Sequence, residues 1–185
     1  MLITIVGKGF GWELAPPANN GDNVWGACQL NTQRDVDVVV DMNEYSDNRW
    51  GETESLMAEL SKSIAKDKGT PYIDLSSYPI DQVIDYFGTD FFTNTIDYMI
   101  ALAIYRGATE IHFYGVNMTM DDEYSYQRPG VHFWIGMAMG RGIKIRVFGK
   151  DSTILKTPDG ILYGYDIKQK EINYELLQDT VGCRC

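Results

Sequence analysis

Residues 93–117, TNTIDYMIALAIYRGATEIHFYGVN, decide the fold. Polar Thr93 and Asn94 precede a long apolar run that ends at Arg106 and Gly107, the pattern of a helix capped at its start and closed by glycine. Glu110–Tyr114 then reads as a strand running straight into Gly115. The same grammar extends in both directions. Upstream, Leu2–Val6 is a β-branched strand ending in glycines, residues 24–28 (VWGAC) form a second strand, and residues 36–42 (VDVVVDM) a third. Residues 52–68 set Leu56, Met57, Leu60 and Ile64 on one helical face, with Lys62, Lys66 and Lys68 outside and Gly69 as the stop. Residues 71–73 make a short strand, and Ile80–Phe87 a short helix with Pro79 near its start. Downstream, residues 126–141 form a helix opened by Tyr126 and Pro129, followed by the strand Lys144–Phe148.

Strands alternating with helices imply parallel pairing with right-handed crossovers. Continuous apolar strands imply cover on both faces. The expectation is an α/β, Rossmann-like, mostly parallel sheet of about six strands with helices on both faces. It is read as a single domain over residues 1–150, with residues 151–185 as a partly ordered C-terminal arm or extension. Residues 163–179 are polar and aromatic, suited to an extended arm or a short final helix that packs on a neighbour or covers a site. With the four tryptophans, this aromatic tail leads us to expect a homo-oligomer.

Composition narrows the function. At 185 residues, with 44% hydrophobic and 23% charged side chains, the chain fits one globular domain and excludes disorder, collagen and coiled coil as overall descriptions. Its apolar stretches fall short of the ~20 residues of a membrane helix. The start has no basic n-region, so no signal peptide is expected and the chain is read as cytoplasmic. Sixteen Lys and Arg against 26 Asp and Glu give a net charge of −10. Such a surface lacks the basic face that nucleic acid requires, and no membrane partner is expected. A small anion is still permitted, because backbone amides and helix N-termini need no net positive charge. Three cysteines (Cys28, Cys183 and Cys185) make no disulfide framework. With His112 and His132 they lack the paired spacing of a zinc site, and no metal is assigned. We read Cys28 as buried and the Cys-x-Cys tail as loose.

Ligands of open parallel sheets bind outside the carboxyl ends of the strands. Three loops leave those ends. The first is Gly7-Lys8-Gly9-Phe10-Gly11-Trp12, with glycines for close backbone approach, Lys8 for a phosphate or carboxylate, and Trp12 as a wall for a base. It matches neither G-x-G-x-x-G nor the Walker pattern. The second is Thr93-Asn94-Thr95, either a helix cap or a polar mouth presenting hydroxyl and amide groups. The third runs from Gly115 and Asn117 through Asp121 to Tyr124, Tyr126 and Arg128. There Arg128 suits a phosphate, and the tyrosines suit a phosphate or a base. His132, a turn after Arg128, and Asp121 are the candidate bases if the protein is a catalyst. His112, inside a strand, is read as core.

The blocks Ile3–Gly9, Val24-Trp25-Gly26, Phe92–Thr95 and Arg106–Asn117 occur in an order that resembles the bacterial sialyltransferases of the Campylobacter type and relatives such as the archaeal pterin diphosphokinase-like domains. The segments 115–118, 123–129, 140–144 and 162–165 are similar to uncharacterised bacteriophage proteins. The resemblance spans most of residues 2–165. It implies a Rossmann-like fold, a cytidine nucleotide-sugar held at these loops, and an oligomer. By the same resemblance Lys8, Cys28, Asn94 and Asn117 stand where the family has Asn, Asn, Ser and Asp. Tyr124 and Tyr126 are counterparts of tyrosines that hold the donor phosphate. The family's catalytic histidine lies in a lid insertion for which this chain has no room.

The resulting expectation is a protein that binds a nucleotide or nucleotide derivative, with group (glycosyl) transfer from a nucleotide-sugar as its reaction. No cofactor beyond that ligand is assigned. Gly7, Lys8, Gly9, Phe10, Trp12, Cys28, Thr93, Asn94, Thr95, Gly115, Asn117, Tyr124, Tyr126 and Arg128 would form the ligand site. The alternative is a non-catalytic phage protein, in the host cytoplasm, that sequesters a small signalling nucleotide to counter host defence.

Overall fold

Strand β1 (Leu2–Val6) sends Ile3 and Ile5 to one face of a sheet and Thr4 and Val6 to the other, and all four are buried. In β2 (Val24–Ala27) and β3 (Val38–Val40), Trp25, Ala27, Val38 and Val40 join the first face, while Val24 and Val39 join the second. This period-2 alternation with both sides apolar requires cover on both sides. The cover comes from α1 (Gly51–Lys68) on the second face, through Ala65 and the short 3-10 segment Cys28–Thr32. On the first face it comes from α2 (Ile80–Phe87), α3 (Thr95–Tyr105) and α4 (Asp122–Gly140). With β4 (Tyr72–Ile73), β5 (Glu110–Tyr114) and β6 (Lys144–Phe148), the strands form one six-stranded sheet in the order β4-β3-β2-β1-β5-β6. Every pairing is parallel. The computed structural model describes residues 1–19, 21, 23–45, 51–118, 122–149, 152–157 and 160–169. Among them no helix is long and apolar enough to cross a membrane.

The core is largest where α3 and α4 meet the sheet. Nine of the eleven α3 residues are buried, and Trp134 of α4 is fully enclosed between Phe87 and Phe92. Burying a side chain of that size contributes roughly 1.5–3 kcal/mol or more, which holds α4 against α2 and the Phe91–Phe92 segment before α3. The chain adds β2, β3 and β4 on one side of β1 and then crosses to place β5 on the other. Strand order therefore reverses between β1 and β5. In the register, Val6 lies beside both Gly26 and Tyr114, so the loops leaving β1, β2 and β5 emerge level with one another.

Several local expectations change. Strand 36–42 is shorter, Val38–Val40, because the Asp37 carboxylate turns back to accept the backbone N–H groups of Asn19, Asn23 and Val24. A single 3-10 turn, Trp12–Leu14, gives way to extended chain at Ala15, and the two prolines that follow cannot continue a helix. Helix α4 runs Asp122–Gly140 rather than 126–141, so Tyr126 and Pro129 lie inside the helix rather than opening it. The Pro129 ring supplies no N–H to the helix ladder there. Beyond β6, Ser152 and Ile154 are buried in the body of the domain. Residues 160–169 close on themselves through an antiparallel bridge between Ile161 and Lys168, leaving Tyr163 and Tyr165 exposed. The proposed course of the arm from residue 170 onward, with Cys183 and Cys185, lies outside the described residues.

Candidate functional site

The level loops enclose a cavity of about 920 Å³ at the carboxyl edge of β1, β2 and β5, a volume suited to a small molecule. Of the residues expected from sequence, Gly7, Lys8, Gly9, Phe10, Cys28, Thr93, Asn94, Thr95, Gly115, Asn117 and Tyr126 line it.

The β1 and β5 loops meet backbone to backbone at Gly7, Gly9 and Gly115. A Cβ on Gly7 would lie 2.5 Å from the Gly115 carbonyl oxygen, and one on Gly9 would lie 2.7 Å from it. The Gly9 N–H donates to the same oxygen at 2.9 Å. Gly115 itself has φ 63°, a conformation that favours glycine. These glycines let the two loops approach each other. Asn117, on the loop after β5, donates from Nδ2 to the Phe10 carbonyl at 3.1 Å. Its Oδ1 is buried with no hydrogen-bond partner, and the residue is only 8% exposed. An unsatisfied buried acceptor costs about 1–3 kcal/mol, so it is a group awaiting a donor. Phe10 and Tyr126, also cavity-lining, are exposed at 77% and 60%.

A polar chain occupies the β2–β3 wall. Lys8 Nζ donates to Gln29 Oε1 at 2.9 Å, and Gln29 Nε2 donates to the Tyr45 hydroxyl. The Tyr45 hydroxyl meets both oxygens of Asp41, at 3.1 and 3.0 Å. Tyr72 reaches the same carboxylate at 3.0 Å, as does the side-chain nitrogen of Asn43. Asp41 is 2% exposed. Burial, and then the Asp41 charge, push the Tyr45 and Tyr72 hydroxyls far above the usual phenol range, so both stay neutral donors. Cys28 ends this wall in a left-handed conformation, φ 53°. It is half-buried, accepts from Asn43 at 3.3 Å and lies 3.7 Å from the Thr95 hydroxyl. Burial and Asp41 push its thiol up to about 11 despite the opposing Lys8 charge, so it is a thiol and not a thiolate near neutrality.

At the mouth of α3, Asn94 is a working N-cap. Its Oδ1 accepts the N–H groups of Ile96 and Asp97 at 2.8 and 3.2 Å. Its Nδ2 is held by Asp97 and the Gln127 carbonyl, each at 3.0 Å. Thr93 gives its N–H and its hydroxyl to Asp97 Oδ2, both at 2.8 Å. Asp97 is fully buried, and burial pushes its carboxyl up to about 6 against the bonds from Thr93 and Asn94. The capping reading of Thr93 and Asn94 thus holds while both still face the cavity.

Three expected residues sit elsewhere. Trp12 packs in the second core cluster with the Arg34 guanidinium 6.0 Å from its ring. Arg128 Nη2 donates to the Thr153 carbonyl at 2.6 Å, and His132 Nε2 donates to the carbonyl of Ile154. Neither lines the cavity; both tie α4 to the chain after β6. His112 packs on Phe148 and bonds Glu110 at 2.8 Å. Asp121 and the Tyr124 side chain lie outside the described residues. Among the residues that sequence reasoning missed are Gln29, Asn43, Glu44, Tyr45, Glu54 and Tyr98, which line the cavity, and Asp41, which holds the Tyr45 hydroxyl. Asp41 carried one usable signal: an acid closing a β-branched strand run at the edge where ligands bind.

No family model matches this sequence, and no curated protein does. Among solved structures, the fold is similar to that of the sialyltransferase CstII from Campylobacter jejuni in complex with cytidine-5'-monophosphate. That match has 14% identity and a TM-score of 0.37, over 82% of this chain and 80% of that one. The same enzyme in complex with a trisaccharide acceptor and CMP matches at 12% identity and a TM-score of 0.39, over 82% of each chain.

Proposed function

We propose that the cavity binds a nucleotide or nucleotide derivative. The observation that carries this reading is the buried, unpartnered Oδ1 of Asn117, which lies where the strand order reverses. A hydroxyl or amino group of a nucleoside supplies the missing donor. Lys8 lines the same cavity for the phosphate, and the exposed rings of Phe10 and Tyr126 offer faces to the base or sugar. The net charge of −10 disfavours polyanions but leaves this local arrangement intact.

Group transfer from a nucleotide-sugar is a second reading of the same site. Glu44 and Glu54 line the cavity with Lys8, so a carboxylate base and a cation for a leaving phosphate are both at hand. Burial and the Asp41 charge push the Cys28 thiol up to about 11, which argues against a resting thiolate nucleophile there. Retention of an intact nucleotide is the outcome in which those carboxylates do no chemistry.

Thermal denaturation with nucleoside monophosphates and CMP- and UDP-sugars tests the proposal. A binding nucleotide raises the melting temperature in proportion to the logarithm of its concentration above Kd. Chromatography of the recovered ligand then separates transfer from retention. No shift with any member of the panel refutes the nucleotide reading.

A further inference from the structure

We infer that Asp41, acting through Tyr45 and Gln29, is the positioning group that aims the Lys8 ammonium into the cavity. The phosphate of a ligand would then meet a cation fixed at the end of a one-way hydrogen-bond chain. This inference rests on the nucleotide reading of the cavity.

The chain has one polarity. A carboxylate only accepts, so the single proton of the Tyr45 hydroxyl goes to Asp41. The Tyr45 oxygen is then an acceptor, and it takes the Gln29 Nε2 donor. With its nitrogen committed inward, Gln29 must turn Oε1 toward Lys8, where it accepts at 2.9 Å. The reverse amide orientation would set an NH2 against an ammonium. The order is thus Lys8 to Gln29 to Tyr45 to Asp41, and Asn43 Nδ2 also donates to the Tyr45 oxygen at 3.2 Å, which leaves the Tyr45 proton for Asp41.

The physical consequence is a cation held but not neutralised. A lysine in direct contact with a buried carboxylate spends its charge on that partner. Here two neutral side chains separate the charges. The ammonium carries three donors, and one of them fixes its direction through Gln29, which leaves two for a ligand. Asp41 meanwhile keeps its own donors from Tyr45, Tyr72 and Asn43. Asn43 also reaches Cys28, so the same carboxylate sets the position of the residue 41–45 wall.

The test compares CMP with cytidine, which lacks the phosphate, for wild type, Tyr45→Phe, Gln29→Leu, Lys8→Ala and the Lys8→Ala/Tyr45→Phe double variant. The expected result is that each single variant weakens CMP about tenfold and leaves cytidine unchanged, a size suited to one charge-assisted bond. The double variant binds no more weakly than Lys8→Ala alone. Equal weakening of cytidine and CMP, or full additivity in the double variant, overturns the inference. A ligand-free readout stands beside it: the Lys8 13Cε resonance should leave its own position and join the bulk lysine signals in Tyr45→Phe and in Gln29→Leu. A Lys8 resonance that neither variant moves refutes the positioning chain whatever the ligand. If that resonance moves as expected but wild type binds neither CMP nor cytidine, the nucleotide reading fails and the positioning of Lys8 stands.

Discussion

Asn117 binds the Phe10 carbonyl through Nδ2 at 3.1 Å and buries its other polar atom, Oδ1, without a partner. One side chain thus joins the loops after β1 and β5 and leaves one buried acceptor beside the cavity without a hydrogen bond. Replacing it by alanine removes a single hydrogen bond from the ligand-free protein, so Asn117→Ala should cost only about 1 kcal/mol in denaturant unfolding. The same variant should lose most of the stabilisation that a bound nucleotide confers. A variant that binds as well as wild type would show that Oδ1 is not a ligand contact.

The glycines of α4 should answer oppositely to the same substitution. A Cβ at Gly130 would lie 2.2 Å from Asp97 Oδ2 and 2.3 Å from the Thr93 hydroxyl, both fixed in the α3 cap. Gly130→Ala should therefore destabilise by about 1–3 kcal/mol. Gly136 meets nothing within 4 Å on the same helix, so Gly136→Ala should stabilise by about 0.5–1 kcal/mol. Thermal unfolding of the pair, run side by side, checks the sign of each.

Asp97 sets a pH dependence. Its carboxyl rises from the ordinary 3.8 to about 6 on folding, so the native state binds the proton more tightly. The stabilisation is complete below pH 3.8 and is lost as pH rises toward 6. Across that window the loss is on the order of 2–3 kcal/mol. Asp97→Asn has no such titration. The stability difference between wild type and Asp97→Asn, measured at pH 4, 5, 6 and 7, should slope in that window and flatten above it. A difference that is constant with pH would contradict the assignment.

Cys28 gives a chemical readout of the wall. With its thiol pushed up to about 11, alkylation by iodoacetamide should be slow at pH 8 and accelerate steeply toward pH 10. Cys183 and Cys185 are replaced by serine for this measurement. Lys8→Ala should slow the reaction further, because the Lys8 charge favours the thiolate. Fast alkylation at pH 8 would mean that the Asp41 side of the wall is not packed as described.

Much of the fold was legible because its signals are periodic and local. Ile80–Phe87, Glu110–Tyr114 and Lys144–Phe148 were readable to the residue from apolar spacing and flanking glycine or proline. The start of α4 was not, since Pro129 reads as a helix opener while the helix begins at Asp122. The glycine and asparagine side of the cavity could be placed from the rule that ligands sit at strand ends. The Asp41 side could not, because Gln29, Asn43 and Tyr45 belong to no motif and become neighbours only through the β2–β3 register. Arg128 and His132 looked like chemistry by type and spacing. Their partners, the carbonyls of Thr153 and Ile154, lie more than twenty residues away and leave no local mark.

The central claim is that a nucleotide occupies the space between the β1 and β5 loops. Titration of 15N-labelled protein with CMP, UMP, AMP and GMP, followed through the backbone and Asn side-chain amide signals, tests it most directly. The account predicts saturable shifts for at least one nucleotide, concentrated at Gly9, Thr95, Gly115 and the Asn117 side-chain amide, and absent from the C-terminal half of α1. Spectra unchanged by all four, or shifts confined to residues away from this cavity, would contradict it.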